Sequence, residues 1–409
     1  MKILSCADIH MGRIPSVLNS ANMTGSTSWE AVVEKAISLH VEVLVLAGDV
    51  VEQEQAWFEA YGPLVRGLEQ LGNAGIQVIG VGGNHDAKIF PRLANESKDI
   101  KILGLGGVWE YFDYQEVRFV GWSFPGNHHQ ENPLAGFDPS MTLTDKALLG
   151  ILHCEANASP VYSKYAPVSV HDFARTNIPW WVLGHIHKPG TLPSAKALYC
   201  GSPYALDSNE KGVHGVWLLE TLAGSQWKTP QFIPICPYRF ETCSVDLSKV
   251  STDEEVQTSL TKSLRDFGST LEGEEAVLCH LVLEGTIGKQ VNLKRILTPE
   301  NLRNFAIPLK EHMLYTLPDF EDHTELMLNL EELTQGAGPV ALLARKLLDP
   351  ACLSDLASKY QRLDEESFNA SAYHLLNNEH VENDYTLLAK NAGKRLLAAM
   401  LASSEGSQL

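Results

Sequence analysis

Two stretches, VLVLAGD (Val43–Asp49) and VIGVGGNHD (Val78–Asp86), decide how this chain is read. Each is a short apolar run, rich in β-branched residues, that ends in glycine and then in polar side chains. Runs this short are too brief for helices and read as strands of a parallel sheet, buried on both faces. Packing supplies no reason for Asp49, Asn84, His85 and Asp86 at their ends. In open α/β sheets, ligands bind outside the carboxyl ends of the strands. The pattern therefore asks for a ligand that takes carboxylate, amide and imidazole together.

Three further clusters repeat the arrangement. A strand over Lys2–Ala7 runs into Asp8-Ile9-His10, one over Leu148–His153 ends in His153, and one over Trp181–Gly184 runs into His185-Ile186-His187. Taken singly, each has a bland reading. Asp-x-His arises by chance, Asn-His-Asp suits a tight turn, and a lone His at a strand end is usually a satisfied core residue. Their serial order, each behind a β-type run, overrides those readings. Mixed oxygen and imidazole ligands suit divalent ions such as manganese, iron or zinc. Seven of them (Asp8, His10, Asp49, Asn84, His153, His185 and His187) exceed one tetrahedral site and suit two ions sharing a bridge. A bridging Asp49 would hold the ions about 3.5–4 Å apart. His185 and His187 fall on one side of an extended segment, so each can serve one ion. Glycines before Asp49, Asn84 and His185 let the backbone approach the metals.

The expected organisation is α/β over 1–228, a small α+β domain over 229–334, and a helical segment over 335–409. In the first part, Thr27-x-x-Glu30 reads as a capping box opening a helix to about Leu39, and a second helix is expected over about Gln55–Ala74. Further strands are expected at Ile102–Leu105, Val117–Trp122, Ala197–Tyr199 and Gly215–Leu219. The second part reads as strand (Tyr238–Val245), helix (Asp253–Phe267) and strand (Ala276–Leu283). A helix over Leu297–Met313 follows, which Pro308 would kink or split. Gln335–Pro339 is a breaker. Helices then follow at Val340–Leu348, Cys352–Leu363 and Tyr385–Ala402.

Composition narrows the function. A formal charge of −18 over 409 residues disfavours a self-sufficient nucleic-acid binder. The seven cysteines show no Cys-x-x-Cys spacing and read as reduced, buried thiols. The first apolar stretch is too short for a signal peptide, and no run approaches the roughly 20 apolar residues of a membrane span. A cytoplasmic protein with no membrane association is expected.

The ordered set Asp8-x-His10, Gly48-Asp49, Gly83-Asn84-His85-Asp86, His153 and Gly184-His185-x-His187 resembles the calcineurin-like metallophosphoesterase superfamily, and within it the SbcD-type DNA-repair nucleases. Met11-Gly12-Arg13, Lys188-Pro189, Tyr199-Cys200-Gly201-Ser202-Pro203 and Lys211-Gly212-Val213 extend the likeness over about residues 1–220. The resemblance implies a layered β-sandwich flanked by helices, with a cap domain and a helical tail. It implies one ion held by Asp8, His10, Asp49 and His187, and a second by Asp49, Asn84, His153 and His185, with manganese the expected metal. His85 would be the transition-state histidine that protonates the leaving oxygen, and Asp86 would orient it. It further implies DNA as substrate, an SbcC-like coiled-coil ATPase as partner, and a homodimer within a heterotetramer. One departure is the Val50-Val51-Glu52 stretch, where the family often has an aromatic and then His or Asp. Glu52 adds negative charge near the phosphate path, so direct substrate contact from this loop is not expected. Cys154 reads as packing, and His128-His129 as a gating pair or a solvated loop.

Three functions are compatible with these features. The first is a DNA exo/endonuclease subunit of an ATPase complex, favoured by the closing motif, the cap and the helical tail. A small-molecule or cyclic-nucleotide phosphodiesterase tolerates the acidic surface but leaves the last 180 or so residues unexplained. A scaffold role is disfavoured by the intact ligand set.

Overall fold

A computed structural model describes residues 1–13, 24–53, 56–95, 100–157, 163–192, 194–272, 276–305, 308–310, 313–316, 320–368 and 384–405. The chain separates into two compact units. One comprises Met1–Thr242, Glu272–Cys279 and Ala306–Pro318, and the other Cys243–Leu271, His280–Phe305 and Asp319–Leu409.

The first unit is built on two mixed sheets. In the first sheet β1 (Lys2–Cys6), β2 (Val43–Ala47), β3 (Gln77–Val81) and β4 (Ile100–Ile102) run parallel, and Gly215–Leu222 lies antiparallel beside β1. The second sheet has β5 (Glu110–Tyr114) at one edge, then β6 (Val117–Trp122) and β7 (Ala147–His153). Beyond β7 come strands Trp181–Gly184, Ala197–Tyr199 and Gly190–Thr191. Only its two outermost pairs, β5 with β6 and Gly190–Thr191 with Ala197–Tyr199, are antiparallel.

Side-chain alternation explains the layering. On β2, Val43, Val45 and Ala47 enter a core shared with Phe119, Leu149, Ile151, Val182 and Leu198 of the second sheet. Leu44 and Leu46 point the other way, into a second core with Trp29, Val32, Val33, Leu64 and Leu68 from the helices. A strand covered on both faces must be apolar at every position, which is why VLVLA shows no polar alternation. The expected parallel strands and the layered sandwich flanked by helices are therefore observed.

Helix α1 (Gly25–Ser38) is capped by Thr24, whose side chain accepts from the Thr27 N–H, while the Thr27 hydroxyl caps Thr24 in return. The capping box thus lies three residues earlier than Thr27-x-x-Glu30, because Thr27 fills the reciprocal position that Glu or Gln usually holds. Helix α2 (Trp57–Asn73) packs on α1 through Trp29, whose indole donates to the Pro63 carbonyl at 3.0 Å. Residues 54–55, at the expected start of this helix, lie outside the described set. None of the seven cysteines forms a disulfide, and six are buried.

In the second unit the helix Asp253–Ser269 has a Thr252/Glu255 capping box. Strand pairing joins Leu281–Leu283 to Phe320–Asp322, and Thr286–Ile287 to Glu325–Leu326. Helices Pro339–Leu348, Pro350–Phe368 and Tyr385–Glu405 follow, with Leu330, Ala344, Leu347, Leu353 and Leu397 forming a core. The helix expected over Leu297–Met313 is absent. Short helices Leu293–Ile296 and Pro299–Asn304 are followed by strands Pro308–Lys310 and Met313–Thr316, which belong to the first unit. Pro308 has no N–H to continue a helix and opens a strand instead; residues 306–307 and 311–312 lie outside the described set.

A Cβ on Gly67 would lie 2.2 Å from Nε1 of Trp29. Alanine would gain about 1 kcal/mol in helix propensity, but overpacking of about 1–3 kcal/mol and loss of the indole hydrogen bond, about 1 kcal/mol, outweigh it. Gly67→Ala is expected to lower stability by about 1–3 kcal/mol in urea unfolding. Gly62→Ala in the same helix meets only the end of the Arg66 side chain, at 3.2 Å, and is expected to be neutral or stabilising.

Candidate metal centre

All five strand-end clusters gather at one edge of the two sheets. Residues beyond β1 and β2 continue to pair after the strands end. The Asp8 N–H donates to Gly48 O, His10 N–H to Asp49 O and Met11 N–H to Val50 O, at 2.9–3.0 Å. His153 is the last residue of β7 and stands in register with Gly184, which places His185 beside it. Four candidate ligands, Asp8, His10, Asp49 and His185, have positive φ (53°, 49°, 51° and 98°). Such conformations in non-glycine residues cost on the order of 1–3 kcal/mol each and persist only where surrounding structure imposes them. Glycine is required beside them. Gly48 has φ +91°, and a Cβ on Gly83 would lie 2.1 Å from Oδ1 of Asp49.

The ligand atoms converge. His10 Nε2 and His187 Nε2 are 3.2 Å apart, close to the roughly 3.3 Å separation of two nitrogens on one tetrahedral ion with bonds of about 2.0–2.1 Å. Asp8 completes a cluster with these two imidazoles, and Asp8, Asp49 and His153 form another. His153 Nε2 lies 3.3 Å from Asp49 Oδ2 and 3.0 Å from Asn84 Oδ1, and His185 Nδ1 is 3.3 Å from that same Asn84 oxygen. Asp8, His10, Asp49 and His153 are almost wholly buried. Nδ1 of His10 points away from His187 and meets Oε2 of Glu52 at 2.7 Å. Buried carboxylates and converging imidazoles are the donor set that divalent cations satisfy.

Protonation follows from these neighbours. Burial opposes ionisation of Asp49, yet His153 and His10 beside it hold its carboxyl well below the usual range. Burial and the neighbouring His153 push His185 down to about 3, leaving it neutral with a lone pair to offer. The half-buried His85 is raised to about 8, chiefly by its contact with Glu52 and further by Asp49.

Asp86 does not turn to His85. Its buried carboxylate accepts from the backbone N–H groups of Gly83 (2.7 Å), Val50 (2.7 Å) and Val51 (3.3 Å), tying the β3 turn to the loop after β2. The group at Nδ1 of His85 is Glu52, through its backbone carbonyl at 3.1 Å and its carboxylate at 3.4 Å. Glu52 thus belongs to the site, whereas its charge alone had suggested a loop that substrate avoids. Glu210 also belongs to it, at 2.7 Å from His187 Nδ1. Its spacing in sequence carries no signal, since only the fold brings it to His187. His128 and His129 lie outside the ligand cluster. Their rings contact Tyr165 and Trp122 respectively, and Tyr165 in turn lies 4.9 Å from the His185 ring.

Part of the chain is similar to known proteins. Residues 1–189 match the family model for the calcineurin-like phosphoesterases. Over this segment the chain is similar to that family. The uncharacterized metallophosphoesterase YhaO of Bacillus subtilis (strain 168) is 26% identical over 268 residues, 62% of each chain. The DNA double-strand break repair protein Mre11 of Methanopyrus kandleri is 25% identical over 256 residues, 54% of each chain. The chain thus spans between half and two thirds of the length of these curated relatives. A solved dimetal phosphatase from Danio rerio aligns at a TM-score of 0.38 and 15% identity, covering 57% of this chain and 99% of that one. The family match and the convergent ligand clusters support a hydrolase of the dinuclear metallophosphoesterase type. Among the described residues, no helix is long and apolar enough to cross a membrane.

In the metal-free protein, His85 is expected to titrate near 8 by NMR. Glu52→Gln should return it toward the ordinary imidazole value of about 6.5. Because the folded-state value is raised, the stability this contact contributes is fully present below about pH 6.5. It is lost as pH rises through about 8.

Proposed function

We propose that the chain is a DNA exo/endonuclease subunit that hydrolyses phosphodiester bonds with two divalent ions, manganese being the expected metal. The observation that carries the reading is the convergence of Asp8, His10, Asp49, Asn84, His153, His185 and His187 at one sheet edge. Asp8, His10, Asp49 and His187 would hold one ion, and Asp49, Asn84, His153 and His185 the other. Divalent ions in these positions supply Lewis-acid activation of water and of the phosphodiester. In the metal-free protein Glu52 raises His85 to about 8, which favours its protonated form. With Nδ1 engaged by Glu52, it offers Nε2–H to the leaving alcohol oxygen. Asp86 supports this by holding the turn that carries His85, through the backbone N–H groups it accepts from.

DNA as substrate rests on the ordered motifs and on likeness to a DNA double-strand break repair protein. The charge of −18 would oppose a polyanion, so phosphate affinity would come from the ions and from a partner. That partner is proposed to be an SbcC-like coiled-coil ATPase bound by a homodimer of this chain in the cytoplasm. Leu356 and Tyr360 of helix Pro350–Phe368, and Leu388 and Leu396 of helix Tyr385–Glu405, are exposed at helical spacing. Such rows suit helix-in-groove docking.

The reading is tested with manganese, a blunt 3′-labelled duplex and bis-nitrophenyl phosphate, with and without a coiled-coil ATPase. Manganese-dependent DNA degradation is expected, reduced about 10²–10⁴-fold in His85→Ala as for loss of a general acid, and stimulated by the ATPase. Hydrolysis of the small diester with DNA left intact in every condition would instead establish a small-molecule phosphodiesterase.

A further inference from the structure

The two metal positions are backed differently, and the difference points to unequal affinity. His187 reaches the site through Nε2, and its Nδ1 lies 2.7 Å from Oε1 of Glu210. An ionised carboxylate only accepts, so Nδ1 carries a proton and Nε2 is the nitrogen that faces the site. Glu210 is itself held in place. Its Oε2 accepts from the Ser202 hydroxyl at 2.8 Å and from the Leu206 N–H at 2.9 Å. Buried His214 braces that arrangement, with Nδ1 2.9 Å from the Ser202 carbonyl and Nε2 3.1 Å from the Glu210 carbonyl. His10, the other imidazole at this position, has the Glu52 carboxylate 2.7 Å from its Nδ1. Among the described residues, no carboxylate stands behind His153, whose Nδ1 meets the backbone carbonyl of Ala47 at 2.9 Å, while His185 faces the site through Nδ1, 3.3 Å from the neutral amide oxygen of Asn84.

We propose that Glu210 is a positioning residue that makes the Asp8–His10–Asp49–His187 position the tighter of the two, so that the ions load in sequence. Carboxylate backing fixes the tautomer and raises the basicity of a ligating imidazole, and removing such a partner commonly lowers metal affinity 10–100-fold. Asp8, assigned to this position, brings a buried carboxyl group, whereas Asn84 on the other side is a neutral amide. The inference rests on the two-ion reading above.

The test is a titration of the full-length, metal-free protein with Mn²⁺, following free Mn²⁺ by EPR in the absence of substrate. Two sites are expected, one at least about tenfold tighter. Glu210→Gln should weaken the tight site about 10–100-fold and leave the weak one unchanged, while Asn84→Ala should affect only the weak site. ¹⁵N chemical shifts of His187 should show its Nδ1 proton lost from fixed placement in Glu210→Gln. If that variant fails to fold, Ser202→Ala, which removes one donor to Glu210, should shift the tight site in the same direction by less. Two equal sites in the wild type, or an effect of Glu210→Gln on the weak site or on neither, would overturn the inference alone. Absence of Mn²⁺ binding would remove the two-ion reading and the inference with it.

Discussion

The structure of the first unit depends on burying two carboxylates, Asp8 and Asp49, at the ends of adjacent parallel strands. Removing an ionised carboxylate from water has an effective penalty of several kcal/mol, which attraction offsets only when geometry is good and the remaining lone pairs are satisfied. Here the compensation is local. The His185 N–H donates to Asp8 and the His85 N–H to Asp49, while His153 and His10 stand beside Asp49. Imidazoles alone leave donor atoms facing one another, as at His10 and His187. A pair of cations resolves that arrangement, and the surrounding fold can be understood as what holds it open.

Holding it takes rigid surroundings. Left-handed backbone at Asp8, His10, Asp49 and His185 is unfavourable in isolation. Backbone hydrogen bonds that continue the β1–β2 ladder past the strand ends, and a fully apolar core between the sheets, keep these residues in place. The strain sits at the residues with the most chemistry to perform, and dense packing away from the site maintains it.

Electrostatics then divides the work among similar side chains. His185, buried beside a positive neighbour, is driven neutral. His85, half-exposed and leaning on Glu52, is driven toward the protonated form. Histidines that look interchangeable in a motif thus separate in protonation because their surroundings differ.

By itself, the sequence determined the strands and marked the side chains that gather beyond their ends. VLVLA and VIGV are β-branched and apolar at successive positions, a local property that needs no tertiary knowledge. The residues after them have no packing role and so disclose a site. The tertiary structure alone decided which groups stand behind the ligands. His10 meets His187 across 177 positions, His153 meets Ala47 across 106, and Glu210 meets His187 across 23. Such pairings follow from strand order in two sheets, and no local pattern encodes that. The same limit explains Asp86, which a motif places beside His85 but which backbone N–H groups claim. It also explains Leu297–Met313, where apolar spacing favours a helix and strand pairing wins after Pro308. Local chemistry names the actors; long-range hydrogen bonding and burial assign their partners.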